Sequence, residues 1–184
     1  MASKIKVDEL ETGNGSGTIA LQNQLSGMTT ASLPTGSVLQ VVNVQTGSLT
    51  TGAAQIPLDD TIPQITEGFE FLTLAITPTS ASSILRIILE AQAASNGSVV
   101  TVGGLFVGTT ANALAVCKKR GSADNDEILS LTHTMVAGVA TELTFRFRVG
   151  TNSATTTVTL NGRSGARTFG GTCASSITIM EIQG

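Results

Sequence analysis

The sequence contains no tryptophan, no tyrosine and one histidine, and aromatic residues make up 3% of its 184 positions. Ligand pockets and sugar-stacking platforms are commonly built on rings, and six phenylalanines leave little to build them from. Charge is scarce too. Only 12% of residues are ionised, and a net charge of −3 with scattered Lys and Arg gives no basic footprint for nucleic acid. No stretch approaches the roughly 18 apolar residues that span a bilayer. The opening Met1-Ala2-Ser3-Lys4-Ile5-Lys6-Val7-Asp8-Glu9 turns polar at once, unlike a secretory leader. The expectation is a chain made and kept in solution, with neither membrane nor nucleic acid as partner.

Catalytic constellations are also missing. His133, in Leu131-Thr132-His133-Thr134-Met135, would have to carry any histidine-dependent mechanism alone, and it reads as a structural residue on a strand. There is no Gly-x-Ser-x-Gly elbow, and neither Cys117 nor Cys173 has a base beside it in sequence. Two half-cystines would allow a disulfide, but a reducing cytoplasm favours two buried free thiols. Gly13-Asn14-Gly15-Ser16-Gly17 lacks the Gly-Lys-Ser/Thr ending of a phosphate loop and reads as a flexible joint. Asp124-Asn125-Asp126-Glu127 lacks the order and central glycine of a calcium loop, so it and Asp59-Asp60 read as solvated turns. No enzyme activity, cofactor or metal site is expected.

What the chain does have is 41% hydrophobic residues, mainly Val, Ile, Leu and Ala, interleaved with Thr and Ser, the material of pleated surfaces. Residues 1–33 differ from the rest. Two short strand-like pieces, Lys4 to Leu10 and Thr18 to Leu25, flank the glycine-rich joint, and the segment is too small to bury a core. It is predicted to be an extended attachment arm, with Lys4, Ile5, Val7, Leu10, Ile19, Leu21 and Leu25 as its contact residues. Residues 34–184 are predicted to form one antiparallel β-sandwich of jelly-roll type. Its strands are Ser37–Val44, Phe69–Ile76, Ser83–Ala91, Val99–Val107, Ala111–Lys118, Glu127–Val136, Glu142–Val149, Thr155–Leu160 and Ser175–Ile182. Asn96-Gly97, Gly150-Thr151-Asn152 and Asn161-Gly162 supply turns between them, and Gly103-Gly104 and Gly170-Gly171 read as bulges or close approaches within the sheets.

Two strands say more. Glu142–Val149 alternates strictly, sending Leu143, Phe145, Phe147 and Val149 to one face and Glu142, Thr144, Arg146 and Arg148 to the other. Arg146 and Arg148 suit bidentate pairing with carboxylates such as Glu70, Glu90 or Glu142, either across a subunit interface or between neighbouring strands. Ser83–Glu90 is apolar on both sides, with Arg86 and Glu90 interrupting one of them, and asks for cover on both faces. Arg86, Ile88, Glu90, Arg146 and Arg148 are therefore the candidate subunit interface of a homo-oligomer. Arg163 and Arg167 fall on a loop open to a further partner.

Several stretches resemble structural proteins of tailed-bacteriophage particles: Lys4-Ile5-Lys6-Val7-Asp8-Glu9-Leu10, Leu33-Pro34-Thr35-Gly36-Ser37-Val38-Leu39-Gln40-Val41-Val42, Ile76-Thr77-Pro78-Thr79-Ser80-Ala81-Ser82-Ser83-Ile84-Leu85 and Ser175-Ser176-Ile177-Thr178-Ile179-Met180-Glu181-Ile182. The resemblance implies a TNF/C1q-like jelly-roll knob that trimerises, located in the virion after synthesis in a bacterial cytoplasm. It also implies that the arm attaches the knob to other virion proteins. With no collagen-like run, heptad repeat or shaft element, the chain suits a capsid decoration (cement) protein on the major capsid protein. The alternative is a short tail fibre or tail-tip protein whose knob binds a host receptor.

Overall fold

Alternation organises the sandwich. In the strand Leu143–Thr151, Phe145, Phe147 and Val149 are fully buried while Arg146 and Arg148 turn outward, so a two-residue period divides one strand between core and surface. The computed structural model describes residues 33–184. The arm positions Lys4, Ile5, Val7, Leu10, Ile19, Leu21 and Leu25 lie outside the described residues.

Among the described residues twelve strands follow in order: β1 (Val38–Thr46), β2 (Thr50–Gly52), β3 (Phe69–Ile76), β4 (Ile84–Ser95), β5 (Val100–Val107), β6 (Ala115–Arg120), β7 (Asp126–Val136), β8 (Leu143–Thr151), β9 (Val158–Leu160), β10 (Gly162–Arg163), β11 (Ala166–Arg167) and β12 (Ser175–Ile182). One sheet runs β1-β12-β4-β7, with β9 and β2 added at the far end of β4; the other runs β3-β8-β5-β6. Every pairing within these two sheets is antiparallel. This is the jelly-roll sandwich expected. Between the sheets lie Leu85, Ile87 and Leu89 of β4, Ile177 and Ile179 of β12, Leu129 and Leu131 of β7, and Phe145 and Phe147 of β8. Burying each large side chain stabilises the fold by about 1.5–3 kcal/mol.

Gly103 provides a close approach rather than a bulge: a Cβ built there would lie 2.3 Å from Phe147 Cζ, so the ring occupies the space a side chain would need. The opposite face of β5 is covered by the chain between β2 and β3. Ile56, fully buried, packs there on Val100 and Val102 as a second apolar cluster. That crossing also corrects a boundary. Ala111–Ala113, read as the start of a strand, bond instead to Pro63–Ile65, and β6 begins at Ala115. The pair Gly170-Gly171 is corrected too: it lies outside both sheets, in a turn where both glycines take positive φ.

The central strand β4 changes partner along one edge, because Ile84–Glu90 pair with β12 and Ala93–Ser95 pair with β9. At the join the backbone of Gln92 belongs to neither ladder. Its N–H donates to Ser175 Oγ (2.9 Å), and its carbonyl accepts from Asn161 N–H (3.0 Å). Ser175 Oγ donates in turn to Asn161 Oδ1 (2.6 Å), and Asn161 Nδ2 donates to the carbonyls of Thr46 (2.9 Å) and Ser48 (3.0 Å). Both side chains are fully buried. Asn161 does this with φ at 57°, a conformation that Asn tolerates better than most residues.

Two carboxylates are buried with opposite consequences. Glu181 Oε1 accepts from the N–H (2.7 Å) and hydroxyl (2.6 Å) of Thr79, and Oε2 accepts from Gln40 Nε2 (2.6 Å). Burial alone would push its pKa up, but the converging donors hold it below the ordinary glutamate range. Glu127 is 4% exposed, and neither of its oxygens meets hydrogen-bond geometry with a described residue. Burial pushes its pKa up, and the nearby Thr101 hydroxyl and Lys119 ammonium offset only part of that.

Asn161→Ala, which removes the donor to the Thr46 and Ser48 carbonyls and orphans the buried Ser175 hydroxyl, is expected to cost about 1–3 kcal/mol in urea unfolding. Unchanged stability would show that water replaces the amide without loss. The two glutamates give opposite pH signs. Glu127 has its native pKa raised, so its charge costs stability once pH climbs through that value. Glu127→Gln is therefore expected to stabilise the fold at pH 7, with the gain vanishing below about pH 4. Glu181 has its native pKa lowered, so its contribution is present above about pH 4 and fades as acid protonates it. Glu181→Gln is expected to cost about 1–3 kcal/mol at pH 7 and less at pH 3. Parallel urea titrations at the two pH values check both signs.

Candidate interaction surfaces

The outward face of the first sheet is nearly free of charge. The strand registers align Val38, Ile182, Ile84 and Val136 as one continuous row across β1, β12, β4 and β7. Val38 and Val136 in this row are more than half exposed. Three rows follow: Val41–Met180–Arg86–Thr134, Asn43–Thr178–Ile88–Thr132 and Gln45–Ser176–Glu90–Ser130. Arg86 and Glu90 are the only charges among them. Four residues apart on one strand, both exposed, they leave the half-buried Ile88 between them and flanked by Thr132 and Thr178. The side of Ser83–Glu90 read as needing cover is thus a mixed surface of Ile84, Arg86, Ile88 and Glu90.

Arg146 and Arg148 lie on the outward face of the other sheet, where the chain itself takes up their donors. Glu70 Oε2 on β3 stands 3.4 Å from Arg146 Nε and 3.6 Å from Arg148 Nη1. Arg146 Nη1 donates to the Gly108 carbonyl (2.7 Å), and Arg148 donates through Nε and Nη2 to the carbonyls of Glu67 and Gly68 (both 2.8 Å). Of the alternatives in the sequence, the geometry is the pairing between neighbouring strands. A half-exposed ion pair alone stabilises by about 0–1 kcal/mol, but the carbonyl bonds fix the turns at Gly68 and Gly108. Glu90 lies on the opposite sheet from these arginines.

Between Asn161 and Ser175 the chain leaves the sandwich. The short hairpin β10–β11 exposes Arg163 and Arg167, and beyond it Phe169 is 82% exposed. Phe169 has φ at 48°, followed by Gly170 at 65° and Gly171 at 94°. A left-handed conformation costs a bulky side chain of order 1–3 kcal/mol, and here it is held by bonds from Gly171 N–H to the Thr168 carbonyl and from the Thr172 N–H and hydroxyl to the Phe169 carbonyl. Sequence reading singled out the two arginines and missed the ring. The signal was present in Thr168-Phe169-Gly170-Gly171, where a bulky apolar residue precedes a glycine pair that cannot shelter it.

The third surface is a groove of about 310 Å³ on the outer side of β5 and β6. Its apolar wall is Pro57, Leu58, Pro63, Val102 and Val116; Asp59, Thr61 and Lys118 are its polar members. Leu58 and Val116 are substantially exposed. The hydroxyl and N–H of Thr61 donate to Asp59 Oδ1 (2.6 and 2.8 Å) and hold that carboxyl below its ordinary range, so it stays ionised.

Residues with chemical potential remain apart. Among the described residues no group of three His, Cys, Asp or Glu side chains could hold a metal ion. Cys117 and Cys173 are free and half-buried, and burial pushes the Cys117 thiol up to about 11, far from a reactive thiolate. His133 sits half-buried on β7 opposite Ile87. Asp124 occupies a turn with φ at 58°, its carboxylate accepting from the Ser164 hydroxyl (2.8 Å).

No protein-family model matches the chain, and none of the curated proteins matches it. Solved structures with a similar course include the Eiger TNF of S. frugiperda, at 9% identity and a TM-score of 0.47, covering 77% of this chain and 92% of that one. A carbohydrate-binding module, CBM36, in complex with calcium and xylotriose shares 10% identity at a TM-score of 0.37, covering 75% and 98%. The enzymatically active domain of bacteriophage CBA120 tailspike protein 4 shares 17% identity at a TM-score of 0.28, covering 66% and 18%.

Proposed function

We propose that this chain is a noncatalytic structural subunit of a tailed-phage particle, a capsid decoration protein that trimerises and clamps neighbouring shell subunits. The observation that carries this reading is the outward face of β1-β12-β4-β7, with its four-strand apolar row and only Arg86, Glu90 and, at the end of β7, Asp126 for charge. A solvated sheet face ordinarily carries more ionised side chains than this. Contact between copies removes the row from water, and Arg86 of one copy has Glu90 of another as its complement. Ile88, Arg86 and Glu90 are then interface residues, whereas Arg146 and Arg148 are internal ties.

Residues 1–33 supply attachment to the major capsid protein. Mechanically the protein is a clamp: a partner that binds only the assembled shell stabilises it by mass action. The second reading, a tail tip that binds a host surface, is favoured by the exposed Phe169 beside Arg163 and Arg167.

Light scattering of the purified chain at tens of micromolar is expected to give the mass of three subunits. The double variant Ile84→Asp with Val136→Glu, altered only on the outward face, is expected to fall to the monomer mass with its circular dichroism unchanged. A wild-type monomer would overturn the self-association reading. Labelled protein on intact particles is expected to decorate the shell and to lose that position when residues 1–33 are deleted; label confined to the tail selects the second reading.

A further inference from the structure

We infer that the loop carrying Phe169 is a knob that enters the groove between Pro57 and Val116 on another copy of this chain, a head-to-tail contact additional to the sheet-face association. The inference extends the self-association reading but rests on different residues. Neither surface contributes a side chain to the rows of the first sheet.

The knob has a fixed base: its two ends, Asn161 and Ser175, are joined by a buried hydrogen bond of 2.6 Å and anchored to the backbone of Gln92. Within the loop Phe169, beside a depression lined by Gln92 and Asp126, is 82% exposed in a left-handed conformation that it adopts only under constraint. An apolar ring left in water on a strained backbone gains twice from a partner, by losing its hydration and by having its position already set. Arg163 and Arg167 are exposed beside it, and neither joins an ion pair with a described residue. Aromatic and arginine side chains are the types that dominate binding energy in protein contacts.

The groove supplies the complement. Its wall of two prolines, a leucine and two valines is apolar, and its volume of about 310 Å³ accommodates a phenyl ring with room for the flanking backbone. The exposed carboxylates Asp59 and Asp60 stand at or next to it and answer the two arginines. Lys118, also in the groove, is the one cation there that opposes the arginines, and it forms no ion pair with a described residue. The knob and groove share no residue, so a copy can offer its knob to one neighbour and its groove to another, which is the heterologous contact inferred here. Such contacts close into a ring or run on as an open array, and an array laid over closed trimers is a lattice.

The test uses full-length chains altered on one side only. Phe169→Ala removes the knob and leaves the groove; Val116→Arg blocks the groove and leaves the knob. Sedimentation velocity across micromolar concentrations is expected to show wild-type association beyond the trimer, with each variant stopping at the trimer and binding itself about tenfold or more weakly. An equimolar mixture of the two is expected to regain association, because each supplies the half that the other lacks. Arg163→Glu with Arg167→Glu, mixed with Asp59→Lys and Asp60→Lys, is expected to behave in the same way through reversed charges.

If both single variants retain the wild-type mass distribution, the inference falls while the trimer stands. If each variant stops at the trimer and the mixture does not recover, the knob has a target other than the groove, and the inference falls. Loss of host-cell binding by Phe169→Ala, with association unaltered, would assign the knob to a receptor instead. A wild-type chain that remains monomeric overturns this contact together with the sheet-face reading.

Discussion

The fold depends on satisfying a backbone that two ladders leave between them. β4 is the longest strand among the described residues and the seam of the first sheet, paired from Ile84 to Ala94 with β7 but shared on its other edge between β12 and β9. A buried peptide group without a partner costs as much as a lost hydrogen bond, and the change of partner creates such groups at Gln92. Asn161 and Ser175 answer them with one amide and one hydroxyl, while also holding the end of β1 at Thr46. The same few atoms decide where the first sheet ends and where the Phe169 loop begins. Surface geometry and core completion are here a single problem.

The two sheets treat their outer faces differently. On β3 and β8 of the second sheet Glu70 and two arginines bridge strands and grip the turns, Ile56 with its flanking chain covers β5, and Lys118, Lys119 and Arg120 stand exposed on β6. On the first sheet the outer face carries threonine, serine, Asn43, Gln45 and a row of aliphatic side chains, with Arg86, Glu90 and Asp126 as its charges. A low charge content is thus unevenly distributed.

Much of this was legible in advance. Period-two patterning located Phe69–Ile76 and Ser175–Ile182 to the residue and set the inward phenylalanines of β8, because alternation is a local property that burial only confirms. The jelly-roll layout followed from strand spacing. What escaped had non-local causes. β2, β10 and β11 are two or three residues long and exist only because of what they pair with. Ala111–Ala113 have strand composition but meet the Pro63 segment before they reach a sheet. Arg146 and Arg148 were recognised as charges seeking carboxylates, yet only the register of β3 against β8 shows that Glu70 stands within reach of both. Phe169 looked like any apolar residue near a strand, because the glycine pair that follows it reads as part of a sheet and is in fact a turn that leaves the ring in water.

The close approach of Gly103 and Phe147 bears on how the sequence can drift. With the ring seated where the β5 side chain would be, the two positions hold one shared volume divided unequally between diagonal neighbours on adjacent strands. Enlarging position 103 is admissible only if position 147 shrinks, and shrinking 147 alone opens a void. The pair is therefore expected to change together or not at all among relatives of this chain, a signature readable from sequences without any structure and a way to recognise distant members that share little else.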